Sequence, residues 1–536
     1  MSKHRLSPAP LPPAKRLHTS SNSQTRSQLP LTFDNALYDE LILNIFSHLS
    51  WIDLCVSQST SRNWCRLASD NELWRDLFLK IFGRPRLRGT RGFIGRTDGR
   101  EVKSLPGRIK AEATKDWKWM FRISSNWRKG RCAVEMLESI LPSVHVSQTH
   151  ILLAGSLTIM ASSRETASPE ICLRTDAGLN YYLACPPTHS DHPVRITTIA
   201  LDQSAPTSCH IRVACFMSSG DFAIFSTNHT EPSKSNRYLT YVPTRRNSRV
   251  SPIIHAVYHH PLLITLSEVF TLSIYDLSGD TATLTQTLTS FTSYPPTSLV
   301  LSTPTPSTYK LVLAYALPVY PAHWSVGVTE LIIAGPASAS SLPTSSSYLS
   351  AEVEPMTIIS TRTARAIDVP QGWIDERKFR YMREQWSRKV ARIADTQTDG
   401  KWVILAPEDS VSRSESNQGH ASSLYTPTSL QLYRLSLPST NSVSSSPPKL
   451  TFVRTLTGQL GPISSLSLSD GRCVSFGLNG SIWVWDLEAG TGAEVAQPEE
   501  GGTYEKLDLT KRSVVFDERK IVTAVDSRIV MRRFDI

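Results

Sequence analysis

The feature that most restricts the fold is a succession of short apolar stretches from about residue 145 to the end of the 536-residue chain. Apolar and polar residues alternate within them, as in Ile211, Val213 and Cys215, and Ser, Gly and Pro separate one stretch from the next. Alternation with a period of two is typical of β-strands, whose side chains point to opposite faces in turn. No helical pattern alternates with these strands, so βαβ units are excluded and a closed all-β array is favoured.

One segment, 456–486, contains what a complete unit of such an array needs. An Asp470-Gly471 turn separates its first two predicted strands, and an Asn479-Gly480 turn leads to a third that ends on Trp485-Asp486. Tight turns of this composition join antiparallel strands. A Trp-Asp pair that closes the third strand is the repeat signature of a propeller blade. The segment therefore predicts a WD-repeat-like β-propeller.

The propeller is expected to occupy residues 143–536, with insertions near 335–352, 374–398 and 408–449. What remains after the insertions gives about 45 residues for each of seven blades, close to the roughly 40–45 residues of a typical blade. Seven is therefore the predicted number of blades, and six or eight remain open.

The insertion at 374–398 has a helical pattern. Phe379, Met382, Trp386 and Ile393 belong to an apolar series with intervals of three and four, and Arg and Lys cover much of the remaining surface. This pattern predicts an amphipathic basic helix. The helix either lies against the propeller with its basic face in water, or it binds a partner or another acidic surface.

The N-terminal part of the chain also has a helical period. Over residues 31–82, apolar side chains recur every three or four positions, beginning with Leu37, Leu41 and Ile45. The spacing predicts three short helices. A core of that size is small, so such a module keeps apolar surface for a partner.

The segments around these helices differ in composition. The tail 1–30 and the segment 83–115 have few apolar residues, which predicts a disordered tail and a flexible basic loop. A helical linker is expected at 116–142, with Val134 and Leu137 continuing its apolar face.

The positive charge of the chain lies in its first quarter. Residues 1–135 hold 24 Lys and Arg against 12 Asp and Glu, whereas the rest of the chain holds 33 against 35. A solvated basic linker explains this distribution, and weak contact with nucleic acid through residues 84–110 is a lesser alternative.

Signatures of catalysis and metal binding do not occur in the sequence. There is no H-E-x-x-H, G-x-S-x-G or phosphate-loop motif, and none of the eight cysteines forms a C-x-x-C pair. We therefore expect a binding protein with no catalytic residues, no metal and no cofactor. No apolar run has the 18–20 residues that span a membrane and no signal peptide is recognisable, so an intracellular location in the cytoplasm or nucleus is expected.

The order of these parts resembles that of F-box/WD-repeat proteins. The run 37–50, followed by Asp53-Leu54, 61–64 and 72–74, resembles the F-box. The segment 117–131 is similar to the one that joins the F-box to the propeller in this family, and 456–486 is similar to a WD blade. The resemblance covers nearly the whole chain beyond the N-terminal tail. It implies an α+β multidomain protein in which a helical F-box and linker precede the propeller.

The resemblance also implies a function. F-box/WD-repeat proteins are the substrate-recognition subunits of Skp–cullin–F-box ubiquitin ligases, in which the F-box binds the Skp-family adaptor, and through it the cullin, while the propeller presents a target protein. The receptor itself performs no bond chemistry, and the sequence does not indicate which protein is the substrate. Carried over residue by residue, the adaptor contacts are expected at Leu37, Tyr38, Leu41, Ile42, Ile45, Phe46, Leu49, Leu54 and Trp64.

The sequence departs from the family pattern at several positions. Tyr38 stands where the F-box usually has proline, Gln459 replaces the usual blade histidine, and Asn479 replaces the usual aspartate. We therefore expect a looser start to the first helix and an incomplete hydrogen-bond network in the blade. Arg472, beside a turn, is expected near a rim of the propeller, and the sequence leaves open which face it is on.

Two other functions fit the same parts. One is a propeller scaffold that acts outside the ligase, and the other is a propeller that binds nucleic acid weakly through its basic segment. Recovery of the adaptor without a cullin would favour the scaffold. Salt-sensitive affinity for RNA or DNA would favour the second, which is the weaker of the two.

Overall fold

The computed structural model describes residues 37–83, 116–137, 148–185, 192–204, 210–228, 231–243, 251–290, 292–305, 307–320, 322–335, 356–368, 372–408, 427–437, 447–498, 512–525 and 528–536. The predicted tail 1–30, nearly all of the predicted basic loop 83–115, and most of the insertions at 335–352 and 408–449 lie outside these residues. The described residues up to Leu77 form one compact unit, and those from Phe78 onward form another.

The first unit consists of four helices. They are α1 (Asp39–Phe46), α2 (Trp51–Ser57), α3 (Arg62–Ala68) and α4 (Asn71–Phe78), and α4 continues into a π-helical turn at Leu79–Gly83. Serine side chains cap two of the helices, because Ser50 Oγ accepts from the Asp53 N–H at 3.3 Å and Ser61 Oγ accepts from the Trp64 N–H at 3.1 Å. The third helix packs against both α1 and α2.

The second unit begins with Phe78 and the π-helical turn, continues with a helix, α5 (Trp117–Lys129), and contains seven four-stranded antiparallel sheets. Blade 1 consists of β2 (Thr149–Ala154), β3 (Leu157–Ser162), β4 (Glu170–Thr175) and β5 (Asn180–Ala184). Blade 2 consists of β6 (Ile196–Leu201), β7 (His210–Met217), β8 (Phe222–Asn228) and β9 (Asn236–Tyr241), with a 3-10 turn at Pro232–Lys234. Blade 3 consists of β10 (Ile253–His259), β11 (Leu262–Ser267), β12 (Thr271–Asp276) and β13 (Thr283–Thr289).

The later blades follow in chain order. Blade 4 consists of β14 (Tyr294–Thr305), β15 (Thr308–Val319), β16 (His323–Ala334) and β17 (Thr357–Arg365). After helix α6 (Glu376–Trp386), blade 5 consists of β18 (Ile393–Thr398), β19 (Trp402–Pro407), β20 (Pro427–Ser436) and β21 (Lys449–Leu460). Blade 6 consists of β22 (Ile463–Ser469), β23 (Arg472–Gly477), β24 (Ile482–Asp486) and β25 (Thr491–Ala496).

Blade 7 is assembled from both ends of the propeller. It contains β26 (Arg512–Phe516), β27 (Lys520–Val525), β28 (Arg528–Arg533) and, as its outer strand, β1 (Ala133–Leu137). The first strand of each blade lies beside the first strand of the next, including β26 beside β2. A buried apolar cluster fills every interface between neighbouring blades. The structure thus confirms the predicted seven-bladed propeller behind an N-terminal helical part.

The strand β1 corrects the predicted linker. Val134 and Leu137 were expected on a helix, but α5 ends at Lys129, and Gly130 follows with a φ of 66°, a left-handed conformation that suits glycine. The next residues then pair antiparallel with β28, from Ala133 opposite Arg533 onward. Pairing with a strand from the far end of the chain replaces the local helical tendency and closes the ring.

The end of α6 corrects a second expectation. The helical pattern at 374–398 was expected to include Ile393, but the helix ends at Trp386. Val390 then forms an antiparallel bridge to Trp324, and Ile393–Thr398 is the inner strand of blade 5. The spacing of apolar residues by three and four positions fitted a helix. This part of the chain is nevertheless a strand, because the sheet of blade 5 provides its burial.

The connections define two faces of the propeller. Within each blade, the turns from the first to the second strand lie at one end, which we call the linker face because α5 packs there. The links from one blade to the next lie at the other end, which we call the opposite face. The link from blade 4 to blade 5, which contains α6, therefore starts and ends on the opposite face.

A carboxylate at an interface between inner strands gives the propeller a pH-dependent stability. Asp395 on β18 accepts hydrogen bonds from the N–H groups of Leu466 at 2.6 Å and Thr396 at 2.7 Å. Burial nevertheless raises the pKa of Asp395 from 3.8 to about 6. Because the folded pKa exceeds the unfolded value, the resulting stability is fully present below about pH 4 and is lost as the pH rises through 6.

We therefore expect wild-type protein to gain about 2–3 kcal/mol relative to Asp395→Asn between pH 7 and pH 4, because only the wild-type side chain takes up a proton. Urea unfolding of both proteins at several pH values would measure the difference. A difference that is independent of pH would contradict the raised pKa.

Candidate protein-binding surfaces

The first helix presents apolar side chains to solvent. Tyr38, Leu41 and Ile45 are 80%, 49% and 44% exposed. Their spacing of three and four residues places them along one side of α1. Tyr38 precedes the helix with φ −73°, which is also the angle that proline prefers. The tyrosine therefore keeps a backbone geometry suited to the helix start and adds an exposed ring.

The nine residues predicted to contact the adaptor divide into two groups. Ile42, Phe46 and Leu54 are buried in the helical unit, with at most 2% of their surface exposed. They pack inside the helical unit, and the adaptor contact expected for these three stays a prediction. The other six are exposed or half-buried: Leu37, Tyr38, Leu41, Ile45, Leu49 and Trp64.

Helix α2 adds two exposed apolar residues that the sequence reasoning missed. Ile52 and Val56 are 54% and 61% exposed and lie four residues apart, on one side of the helix. That spacing was visible in the sequence, but Leu54 alone was assigned from this helix. We call Tyr38, Leu41, Ile45, Ile52 and Val56 the F-box apolar surface.

The F-box helices are also joined by polar contacts. Arg66 on α3 lies 2.6 Å from the Asp39 carboxylate at the start of α1, and Ser50 Oγ donates to Asp53 Oδ2 at 2.7 Å. The Trp74 indole N–H donates to the Ala68 carbonyl at 2.8 Å. These contacts fix the helices that carry the exposed apolar side chains.

On the linker face, α5 is anchored by Trp127. The indole is stacked on Phe534 with ring centroids 4.0 Å apart, and its N–H donates to the Glu518 carbonyl at 3.0 Å. The Arg472 guanidinium lies 5.5 Å from the centre of the same indole. Arg472 is therefore on the linker face, which answers the question that the sequence left open. At the start of α5, the Trp117 ring lies 5.4 Å from that of Phe78.

In blade 6, the hydrogen-bond network that was expected to be incomplete is continuous. The Trp485 indole N–H donates to Ser475 Oγ at 2.8 Å, and Ser475 donates to the Gln459 side-chain carbonyl. The Gln459 amide then donates to Ser481 Oγ at 3.1 Å, while that of Asn479 donates to the Leu460 carbonyl at 2.8 Å. The expectation was wrong because glutamine, like histidine, can accept and donate at once.

The basic helix α6 is mostly exposed. Phe379 was expected on a buried apolar face, yet it is 51% exposed, and Tyr381 is exposed as well. Within the helix, Gln385 is buried and Trp386 is half-buried. The helix therefore contacts the propeller through its C-terminal end.

Thiols that lie in the propeller core are poor nucleophiles. Burial raises the pKa of Cys172 to about 11 and holds the pKa of Cys473 well above its ordinary value. Within the described ranges, no group of three or more His, Cys, Asp or Glu side chains could hold a metal ion. The described helices are also too short or too polar to cross a membrane.

Two protein-family profiles match the chain. The F-box-like profile matches residues 39–80, and the profile of the F-box protein pof12 β-propeller matches residues 178–521. The second match alone covers more than half of the chain.

Two curated relatives align over shorter stretches. An F-box protein of Saccharomyces cerevisiae is 27% identical over 150 residues, which are 25% of this chain and 23% of the relative. The probable E3 ubiquitin ligase complex SCF subunit sconB of Arthroderma otae is 27% identical over 156 residues, with the same shares. The aligned part spans about a quarter of the length of either relative.

Solved structures resemble the propeller more distantly. The Cps50 (Swd1) β-propeller domain of Myceliophteria thermophila aligns with a TM-score of 0.38 at 10% identity, over 75% of this chain and 99% of that domain. The computationally designed Ika8 protein aligns with a TM-score of 0.33 at 9% identity, over 74% of this chain and 99% of the designed one. The family assignment follows from the two profile matches: the chain is an F-box protein and belongs to the family of the pof12 β-propeller.

Proposed function

We propose that this protein is the substrate-recognition subunit of a Skp–cullin–F-box ubiquitin ligase. Its F-box, within residues 31–82, binds the Skp-family adaptor, and its propeller binds a target protein for ubiquitination. The observation that carries this proposal is the F-box apolar surface, on a module that the F-box-like profile matches. Similarity to sconB, a probable E3 ubiquitin ligase complex SCF subunit, supports the same assignment.

The exposed side chains can support a stable complex. Burying an aliphatic or aromatic side chain completely contributes about 1.5–3 kcal/mol, so five partly exposed ones supply on the order of 5 kcal/mol before the costs of association. Exposing these five apolar side chains to water adds no stability to a domain as small as this one. An adaptor that covers both α1 and α2 would bury all five.

In this proposal, the propeller supplies the surface that binds the target protein. A ring of seven sheets gives two faces on which loops from many blades can contact a target. The receptor contributes no reaction step of its own in this proposal, and it acts inside the cell, where the adaptor and cullin are found.

Affinity purification tests the proposal. Tagged full-length protein is expected to recover the Skp-family adaptor and a cullin together, in comparable amounts. Recovery of the adaptor without any cullin would contradict the ligase role and favour a scaffold outside the ligase. Recovery of neither would contradict the adaptor contact itself.

A further inference from the structure

We propose that α6 and Trp373, which lies two residues before the helix cap Asp375, form a docking surface for an acidic, partly apolar segment of a partner protein. We call Trp373, Arg377, Phe379, Tyr381 and Arg383 the α6 surface. In the ligase this partner is the substrate, so that biological role depends on the proposed function. The binding itself does not.

The helix is held in place at its C-terminal end. Val390, just beyond it, exchanges backbone hydrogen bonds with Trp324 at 2.7 and 3.0 Å. The Arg388 guanidinium lies 4.1 Å from the centre of the Phe452 ring, and the Arg388 carbonyl accepts from the Gln431 amide at 2.9 Å. Blades 4 and 5 therefore fix the helix, and its N-terminal half remains accessible.

Large aromatic side chains are exposed on this accessible part. Trp373 is 86% exposed, and both Phe379 and Tyr381 are about half exposed. At the start of the helix, Asp375 Oδ1 accepts from the Lys378 N–H at 2.7 Å, which keeps the first turn ordered. Exposed aromatics on an ordered element are typical of the residues that dominate protein interfaces.

The charge of this region is opposite to that of its surroundings. Residues 372–392 contain seven Arg and Lys against three Asp and Glu, whereas residues 136–536 as a whole contain 33 against 35. The basic residues are therefore concentrated around α6. An acidic partner segment would be attracted to this site and not to the remaining propeller surface.

Two arginines of the α6 surface, Arg377 and Arg383, keep their charge available for a partner. The carboxylate of Glu376 lies 3.6 Å from Arg380, and that of Glu384 pairs with Arg388. Among the described residues, no carboxylate lies within 4.0 Å of Arg377 or Arg383. Arg377 lies four residues before Tyr381, and Arg383 lies four residues after Phe379, so each free charge has an aromatic neighbour on the helix surface.

This arrangement favours a peptide over nucleic acid. Three carboxylates lie among the basic residues of 372–392 and would repel a continuous phosphate backbone. At about 100° per residue, Arg377 and Arg383 lie on the exposed side of α6, and Tyr381 and Phe379 border that side at its two edges, next to the side that carries the buried Gln385. A peptide that crosses the exposed side can place single carboxylates on the two arginines and apolar side chains on the two rings. The exposure of these side chains leaves the surface open to such a segment.

Fluorescence anisotropy with the full chain tests the inference. The probe is a fluorescein-labelled 16-residue peptide that alternates Glu pairs with Leu and Phe, and its matched control has Gln in place of every Glu. We expect the Glu peptide to bind at least tenfold more tightly than the Gln peptide. The double variants Arg377→Glu/Arg383→Glu and Trp373→Ala/Phe379→Ala are each expected to weaken binding at least tenfold.

A matched variant controls for net charge. Arg122→Glu/Arg128→Glu reverses two exposed charges on α5, at the linker face, and is expected to leave peptide affinity within twofold of wild type. Equal binding of the Glu and Gln peptides, or equal losses in the α5 and α6 variants, would overturn the inference. Tighter binding of a single-stranded 20-nucleotide RNA than of the Glu peptide would also overturn it.

Adaptor recovery, measured on the same proteins, separates this inference from the proposed function. We expect the α6 variants to recover the Skp-family adaptor as well as wild type does. If the peptide binds as expected but no adaptor is recovered, the α6 surface stands and the ligase role fails. If the adaptor is recovered but the Glu peptide does not bind, the ligase role stands and the α6 surface fails.

Discussion

Replacing Ile45 by aspartate is expected to abolish recovery of the Skp-family adaptor, with at least a hundredfold loss of affinity. Ile45 is partly exposed on the F-box apolar surface, one turn after Leu41. An unpaired carboxylate that becomes buried against apolar side chains costs several kcal/mol, and a hundredfold loss corresponds to about 2.7 kcal/mol. Titration calorimetry with purified adaptor measures the loss directly.

Two controls separate contact from folding in this experiment. Ile45→Val keeps an apolar side chain and is expected to bind within a few-fold of wild type. Asn71→Asp adds the same charge at the exposed start of α4, where a negative charge is favourable, and is expected to leave affinity unchanged. If Ile45→Asp retains wild-type affinity while the helices stay folded, the adaptor does not cover this side of α1.

Replacing Trp127 by alanine is expected to lower the free energy of unfolding of the propeller by about 3–5 kcal/mol, the range for large buried aromatic side chains. Trp127 is 3% exposed and stacks on Phe534, which is completely buried. Its loss would leave a cavity between α5 and blades 6 and 7. It would also leave the Glu518 carbonyl without the indole N–H.

A second tryptophan provides the control. Trp373→Ala removes the same side chain from a site that is 86% exposed, and its effect on stability is expected to stay within about 0.5 kcal/mol. Urea midpoints of the two variants and wild type give the comparison. Similar midpoints for Trp127→Ala and Trp373→Ala would show that α5 is not anchored through this indole.

Helix α5 is anchored next to the strand that closes the propeller ring. The helix lies immediately before β1, the outer strand of the blade that closes the ring. Because Trp127 and β1 both attach this region to blade 7, the segment that enters the propeller is held at two consecutive places. A loosened α5 would therefore be expected to affect closure of the ring as well as the connection that precedes it.

The sequence alone determined the features that depend on local periodicity. Alternating apolar residues predicted strands, and the turns around Asp470-Gly471 and Asn479-Gly480 predicted the blade that the structure contains at 463–496. The intervals of Leu37, Leu41 and Ile45 predicted the first helix. These patterns are readable because a side chain's direction repeats every two residues in a strand and about every 3.6 in a helix.

Only the tertiary structure decided which side of each element is covered. The apolar residues of α1 span a wide arc, so periodicity did not distinguish Ile42 and Phe46, which are buried, from Leu41 and Ile45, which are exposed. That choice depends on where α3 packs. Likewise, no local pattern showed that Gln459 could take the place of histidine, since its partner Ser475 lies on β23 and its partner Ser481 lies just before β24.

The clearest division lies at two strands, β1 and β18, whose residues the sequence assigned to helices. The sequence around Val134 favoured a continued helix, and the spacing around Ile393 did the same. Both residues lie in strands, because β28 and β19 offer backbone hydrogen bonds that an isolated segment lacks. Local spacing thus determined that these residues are apolar parts of regular elements, whereas partners distant in sequence determined which element each one joins.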